Sequence, residues 1–155
     1  MVTNEILQNV FLIQYKDSSG TCFRIPALTG HYLITAKHLF PEVPTRTSLK
    51  ISISHINQNI ELDAVLLTHS DPQIDIAVLH LPKEKPIEHL FDVDTNNLAL
   101  SQDCYFLGYP FGLMMQDLGS QLNNGFPLPY VKKAIISSFD FTEEKISHIF
   151  LDGIN

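Results

Sequence analysis

The sequence predicts an all-β protein, and three observations carry that expectation. Apolar and polar residues alternate with a period of two: Leu49, Ile51 and Ile53 are interleaved with Lys50, Ser52 and Ser54. Ile60, Leu62 and Ala64 alternate with Glu61 and Asp63 in the same way, so each segment has one face for a core and one for solvent. Helical periodicity is nearly absent, and turn-forming residues interrupt the chain at short intervals. Short strands with regular turn punctuation suggest a closed barrel or a sandwich.

Taken in order, the segment from Gln8 to Lys16, with Val10 through Tyr15 at its centre, reads as a strand ending at the turn Asp17-Ser18-Ser19-Gly20. Strands are expected next near 20–28 and 31–35, and Ala36 to Phe40 suggests a single helical turn. The two alternating segments follow, joined by the turn-like His55-Ile56-Asn57-Gln58-Asn59. A strand is expected over 75–81. Pro82-Lys83-Glu84-Lys85-Pro86 is charged and broken by proline, which disfavours a central strand. The chain therefore divides into an N-terminal barrel over 1–82, a linker over 83–101 and a partial C-terminal barrel over 102–155. Strands near 103–108, 130–138 and 147–152 fill the last part. Gly112, Gly119, Gly125, Pro127 and Pro129 mark 109–129 as a long loop without regular structure.

Composition narrows the class. Of 155 residues, 45% are hydrophobic and 17% charged, which suits a packed core and not a disordered chain. The net charge is −7, and Lys132-Lys133 with Lys83 and Lys85 are the only basic groupings. That excludes the basic stripe required by a nucleic-acid or anionic-membrane partner. No apolar run approaches the roughly 18 residues of a membrane span. Met1-Val2-Thr3-Asn4-Glu5 lacks the positive charge that opens a secretory signal. Cys22 and Cys104 are far apart in sequence and are expected to be buried and reduced, which points to a cytoplasmic compartment. The histidines show no ligand spacing, so neither a metal nor another cofactor is expected.

The chemistry concentrates in two segments. Leu33-Ile34-Thr35-Ala36-Lys37-His38 delivers a histidine just past an apolar strand, and Asp75-Ile76-Ala77-Val78-Leu79 opens a second apolar strand on a carboxylate. A lone histidine after a strand is usually structural, and an aspartate is a common turn residue. A carboxylate at the buried end of a strand, however, is costly unless paired, and an imidazole N–H is the partner it would take. In a Ser-His-Asp triad the histidine reaches the nucleophile with one ring nitrogen and is held by a carboxylate at the other. His38 and Asp75 are the candidate catalytic residues on that ground.

Six segments in order resemble the trypsin/chymotrypsin-like serine peptidases, in particular their compact bacterial Deg-type members. Gly20-Thr21-Cys22-Phe23 is similar to the family's Gly-Thr-Gly-Phe, with Cys22 in place of the second glycine. Thr35-Ala36-Lys37-His38 resembles Thr-Ala-x-His, and Asp75-Ile76-Ala77-Val78-Leu79 resembles Asp-Ile-Ala-Val-Leu. Phe106 to Gly112 is similar to the Gly-Tyr-Pro-x-Gly segment of the second barrel, and Ala134-Ile135-Ile136-Ser137 stands where Gly-Ile-Ile-Ser is usual. His148 to Asn155 resembles the approach to Gly-Asn-Ser-Gly-Gly-Pro. The resemblance implies a chymotrypsin-like double β-barrel, the N-terminal barrel near-complete with about six strands and the C-terminal one incomplete. It implies hydrolysis of a peptide or protein substrate by acyl transfer. His38 would be general base and then acid, and Asp75 would fix its tautomer.

The nucleophile is missing from the pattern. Ser137 and Ser138 fall on an expected strand, Ser120 lacks a following glycine pair, and Ser18, Ser19 and Ser101 read as turn or linker residues. Cys104 begins an apolar strand and reads as an inert core thiol. Whether the chain is an enzyme is therefore left open. One reading is a serine endopeptidase fragment, inactive as given, whose serine follows Asn155. The alternatives are a non-catalytic binding or scaffolding module on the same fold, or an unrelated β-barrel binding protein. Unclosed strands in the second barrel also lead to an expectation of self-association.

Overall fold

The structure, a computed structural model, describes residues 1–27, 30–82, 96–115, 123–142 and 145–153. Nine strands dominate the described residues: β1 (Val10–Tyr15), β2 (Ser18–Ala27), β3 (Gly30–Thr35), β4 (Thr47–Ile53), β5 (Ile60–Thr68), β6 (Ala77–Leu81), β7 (Asp103–Gly108), β8 (Tyr130–Thr142) and β9 (Lys145–Asp152). The first six close into a barrel in the order β1-β2-β3-β6-β5-β4, and the last three form a separate sheet, β7-β8-β9. The expected all-β architecture is what the chain adopts, with one closed barrel and one open sheet.

The alternating sequence explains the barrel. In β4 and β5 the register pairs Leu49 with Ala64, Ile51 with Leu62 and Ile53 with Ile60, so the apolar members of both strands share the inner face. Closure comes from β1 against β4, where Ile13 pairs with Ile53. The core holds Ile13, Cys22, Leu33, Ile51, Leu66 and Leu79, each 2% exposed or less. Burial pushes the Cys22 thiol far above its ordinary pKa, which leaves it an inert apolar filler.

Three local departures from the sequence reading have physical reasons. The first hairpin turns at Lys16-Asp17, not at 17–20, because Tyr15 pairs with Ser18 and Gln14 with Ser19. Lys16 takes the left-handed conformation (φ 52°) that so tight a reversal requires. A one-turn helix, Asn4–Leu7, precedes β1; the Thr3 hydroxyl caps it by accepting the Ile6 N–H at 3.4 Å. β8 runs on to Thr142, past the expected end at 138, with register shifts between Ile136 and Ser138 and between Asp140 and Phe141. Such shifts bend a strand without ending its pairing.

The chain divides into two compact units, Met1–Phe91 with Gly108–Tyr130, and Asp92–Leu107 with Val131–Asn155. Residues 108–130 thus group with the barrel although they follow most of β7. They carry a short 3₁₀ turn, Pro110–Gly112, and a single bridge between Met115 and Leu128. Most of the expected linker, 83–95, lies outside the described residues, as does Ser120. In the second unit Ala134 and Ile136 are buried, while Phe150 and Leu151 stay exposed. Lys133 pairs with Asp103 at 2.8 Å, and that hydrogen bond raises its pKa.

Candidate active site

His38 sits in a 3₁₀ turn, Lys37–Leu39, directly after β3. The turn is fixed from both sides. Thr35, the last residue of β3, is buried and donates its hydroxyl to the Thr21 carbonyl at 2.8 Å. Leu39 and Phe40, next to His38, are 5% and 3% exposed and belong to the barrel core. Gly20 makes room for this anchor, since a Cβ there would stand 2.8 Å from Leu39 Cδ1. The Gly-Thr and Thr-Ala-x-His segments are therefore one packing unit: a glycine admits the leucine, and a threonine carbonyl holds the strand end.

The same threonine ties in the Gly-Tyr-Pro segment. The Tyr109 N–H donates to Thr21 Oγ1 at 2.9 Å, and a Cβ at Gly108 would meet that oxygen at 3.0 Å. Tyr109 is buried with its hydroxyl 2.7 Å from the Pro127 carbonyl and 3.2 Å from that of Val10. Burial first, then the nearby Cys22, pushes the phenol well above its ordinary pKa, so it stays a neutral donor. Sequence reading missed this anchor. Its signal was present, an aromatic with a polar tip between glycine and proline.

Asp75 meets His38 twice. Its Oδ2 lies 2.6 Å from His38 Nδ1, and its Oδ1 accepts the His38 backbone N–H at 2.8 Å. The carbonyl of Asp75 accepts the Lys37 N–H at 3.3 Å. The hydrogen bond from the His38 ring, then that from its backbone, holds the Asp75 carboxyl below its ordinary pKa. An ionised carboxylate only accepts, so Nδ1 carries the proton in the 2.6 Å contact. In the neutral imidazole that leaves Nε2 as the lone-pair nitrogen, with no hydrogen-bond partner among the described residues.

The surroundings differ from the expectation in one respect. β6 begins at Ala77, so Asp75 lies in the loop before it, and its side chain is 54% exposed against 71% for His38. The pairing of the two side chains is therefore not forced by burial. Backbone placement produces it. No serine hydroxyl is bonded to His38 among the described residues; Ser137 instead donates to the Phe150 carbonyl at 3.1 Å inside the second sheet. Among the described residues no three His, Cys, Asp or Glu side chains are grouped to hold a metal ion.

A closed six-stranded barrel with a solvent-facing His–Asp pair at its rim defines the class of trypsin-like double-barrel folds. The chain belongs to the family of trypsin-like peptidase domains, which it matches over residues 20–150. Two solved HtrA-type proteases share the fold, AlgW and a variant of it, each with a tripeptide. The variant aligns with a TM-score of 0.58 at 19% identity over 97% of this chain and 45% of its own. The other gives 0.57 at 21% over 90% of this chain and 40% of its own. The present chain thus spans under half the length of either. No curated protein sequence matches it.

Proposed function

We propose that this chain supplies the base and orienting acid of a serine endopeptidase that cleaves peptide bonds by acyl transfer. The observation that carries the reading is the double engagement of Asp75 with His38, at 2.6 Å to the ring and 2.8 Å to the backbone. That arrangement leaves Nε2 free to take a proton from a serine hydroxyl and later to return it to the leaving amine. Asp75 keeps its charge throughout and stabilises the imidazolium. The tripeptides in both AlgW structures support a peptide as the substrate class. The nucleophile and its oxyanion donors come from residues outside these 155, and the chain as given is inactive in this reading.

Two further aspects extend the proposal. The free thiols Cys22 and Cys104 support a reducing compartment, the cytoplasm. The open sheet, with Phe150 and Leu151 exposed on a terminal strand, supports self-association through β9. The test of the central reading is covalent labelling. A serine-reactive phosphonate is expected to leave the 155-residue chain unlabelled and to label the product of the whole reading frame. Labelling of the longer product that survives His38→Ala would overturn the assignment, and so would its complete absence.

A further inference from the structure

Asp75 lies in the connection between β5 and β6, where residues 69–76 form no strand and its carboxylate is more than half exposed. Within that connection the hydrogen bonds are local. The Asp71 N–H donates to His69 Nδ1 at 3.0 Å, the Gln73 N–H to Asp71 Oδ1 at 2.9 Å, and the Ile74 N–H to the Asp71 carbonyl at 3.3 Å. These shape the loop but do not fix it to the histidine. The His38 and Lys37 N–H groups hold the far end of the loop at Asp75, and its start needs a separate hold if Asp75 is to keep its distance from His38.

The side chain of Lys37, the residue before His38, meets that need. Its ammonium donates to the His69 carbonyl at 3.1 Å and to the Asp71 carbonyl at 3.3 Å, while its own N–H donates to the Asp75 carbonyl at 3.3 Å. Lys37 therefore grips the loop at both ends, from the turn that carries the histidine. Hydrogen bonds from a charged donor are roughly twice as strong as neutral ones. A solvated surface lysine contributes little, but one that binds two backbone carbonyls of a single loop at once restricts that loop's motion.

We infer that Lys37 is a positioning residue, whose ammonium pins the start of the loop at His69 and Asp71 while its backbone N–H holds the Asp75 end, and so steadies the Asp75 carboxylate against His38 Nδ1. The inference rests on the reading of His38 and Asp75 as base and orienting acid. It acts through Asp75 and does not place Lys37 in contact with substrate.

The experiment compares Lys37→Met and Lys37→Arg with the unaltered 155-residue chain by NMR. Methionine keeps the apolar stem without the donors, and arginine keeps the charge and the donors. The first readout is amide exchange at Lys37 and His38, whose N–H groups bond to Asp75. Lys37→Met is expected to speed it by about tenfold, the size of one charge-assisted hydrogen bond, with Leu66 and Leu79 unchanged. Lys37→Arg is expected to restore it to within about threefold. The second readout is the ¹⁵N signature of the neutral His38 ring. Lys37→Met is expected to deplete the Nδ1–H tautomer, and Lys37→Arg to retain it. Exchange and tautomer both unaltered in Lys37→Met would overturn the inference, as would core amides opening equally. Failure of the peptidase reading is separate: it would abolish phosphonate labelling of the full product and leave both NMR results in place.

Discussion

The contact between Gly20 and Leu39 is tight enough to give a signed double-mutant cycle. A Cβ at Gly20 would lie 2.8, 3.2 and 3.4 Å from Leu39 Cδ1, Cδ2 and Cγ, its three nearest neighbours. Leu39 is 5% exposed and packed with the core, so it cannot step aside freely. Gly20→Ala alone is therefore overpacked and is expected to destabilise by about 1–3 kcal/mol. Leu39→Ala alone opens a cavity and is expected to cost about 2–5 kcal/mol. In the Leu39→Ala background all three close contacts disappear. Gly20 lies in β2 without a left-handed φ, so the added methyl then partly fills the space and restrains the unfolded chain. Its effect reverses to a gain of about 0.4–1 kcal/mol. The coupling is thus expected to reach about 1.5–4 kcal/mol, far above the ~0.5 kcal/mol scatter of independent sites. Urea unfolding of the four proteins measures it. Additivity within that scatter would refute the claim that this glycine exists to seat the leucine beneath the histidine turn.

Two further outcomes follow from the same geometry. Because the folded-state pKa of Asp75 is depressed, its stabilisation is present above the unfolded value near ~3.9 and is lost as pH falls through the folded value. The stability gap between the parent and Asp75→Asn should shrink as pH is lowered from about 5 toward 3; a gap that widens in urea unfolding contradicts the pairing. Light scattering is expected to show species larger than the monomer, reduced by replacing exposed Phe150 and Leu151 with lysine; a monomer at all concentrations would remove β9 as an association edge.

The barrel was legible because a period of two is a strong signal when one face is buried. The β4–β5 register follows directly from where Leu49, Ile51, Leu62 and Ala64 fall. The His38 and Asp75 segments stood out because a charged or titratable residue at the end of an apolar strand needs a partner. What the sequence did not convey was the kind of environment. Asp75 was expected at a buried strand end, yet it is held in an exposed loop by backbone donors, which any residue type supplies. The first turn was misplaced for a similar reason. Asp17-Ser18-Ser19-Gly20 is turn-rich in composition, but the pairing of Gly20 with Ile13 keeps three of its four residues in β2. Lys37 carried no periodic or compositional signal, because its role depends on two carbonyls more than thirty residues away.

The central claim is that Asp75 orients His38 as the base of a peptidase, and steady-state peptide hydrolysis by the whole reading frame tests it most directly. Replacing the carboxylate with an amide keeps the shape but favours the wrong imidazole tautomer. Asp75→Asn is therefore expected to lower kcat on the order of 10⁴-fold with KM little changed, and His38→Ala to lower it at least as far. Peptide hydrolysis by the whole product that persists at the parent rate in Asp75→Asn would contradict the account.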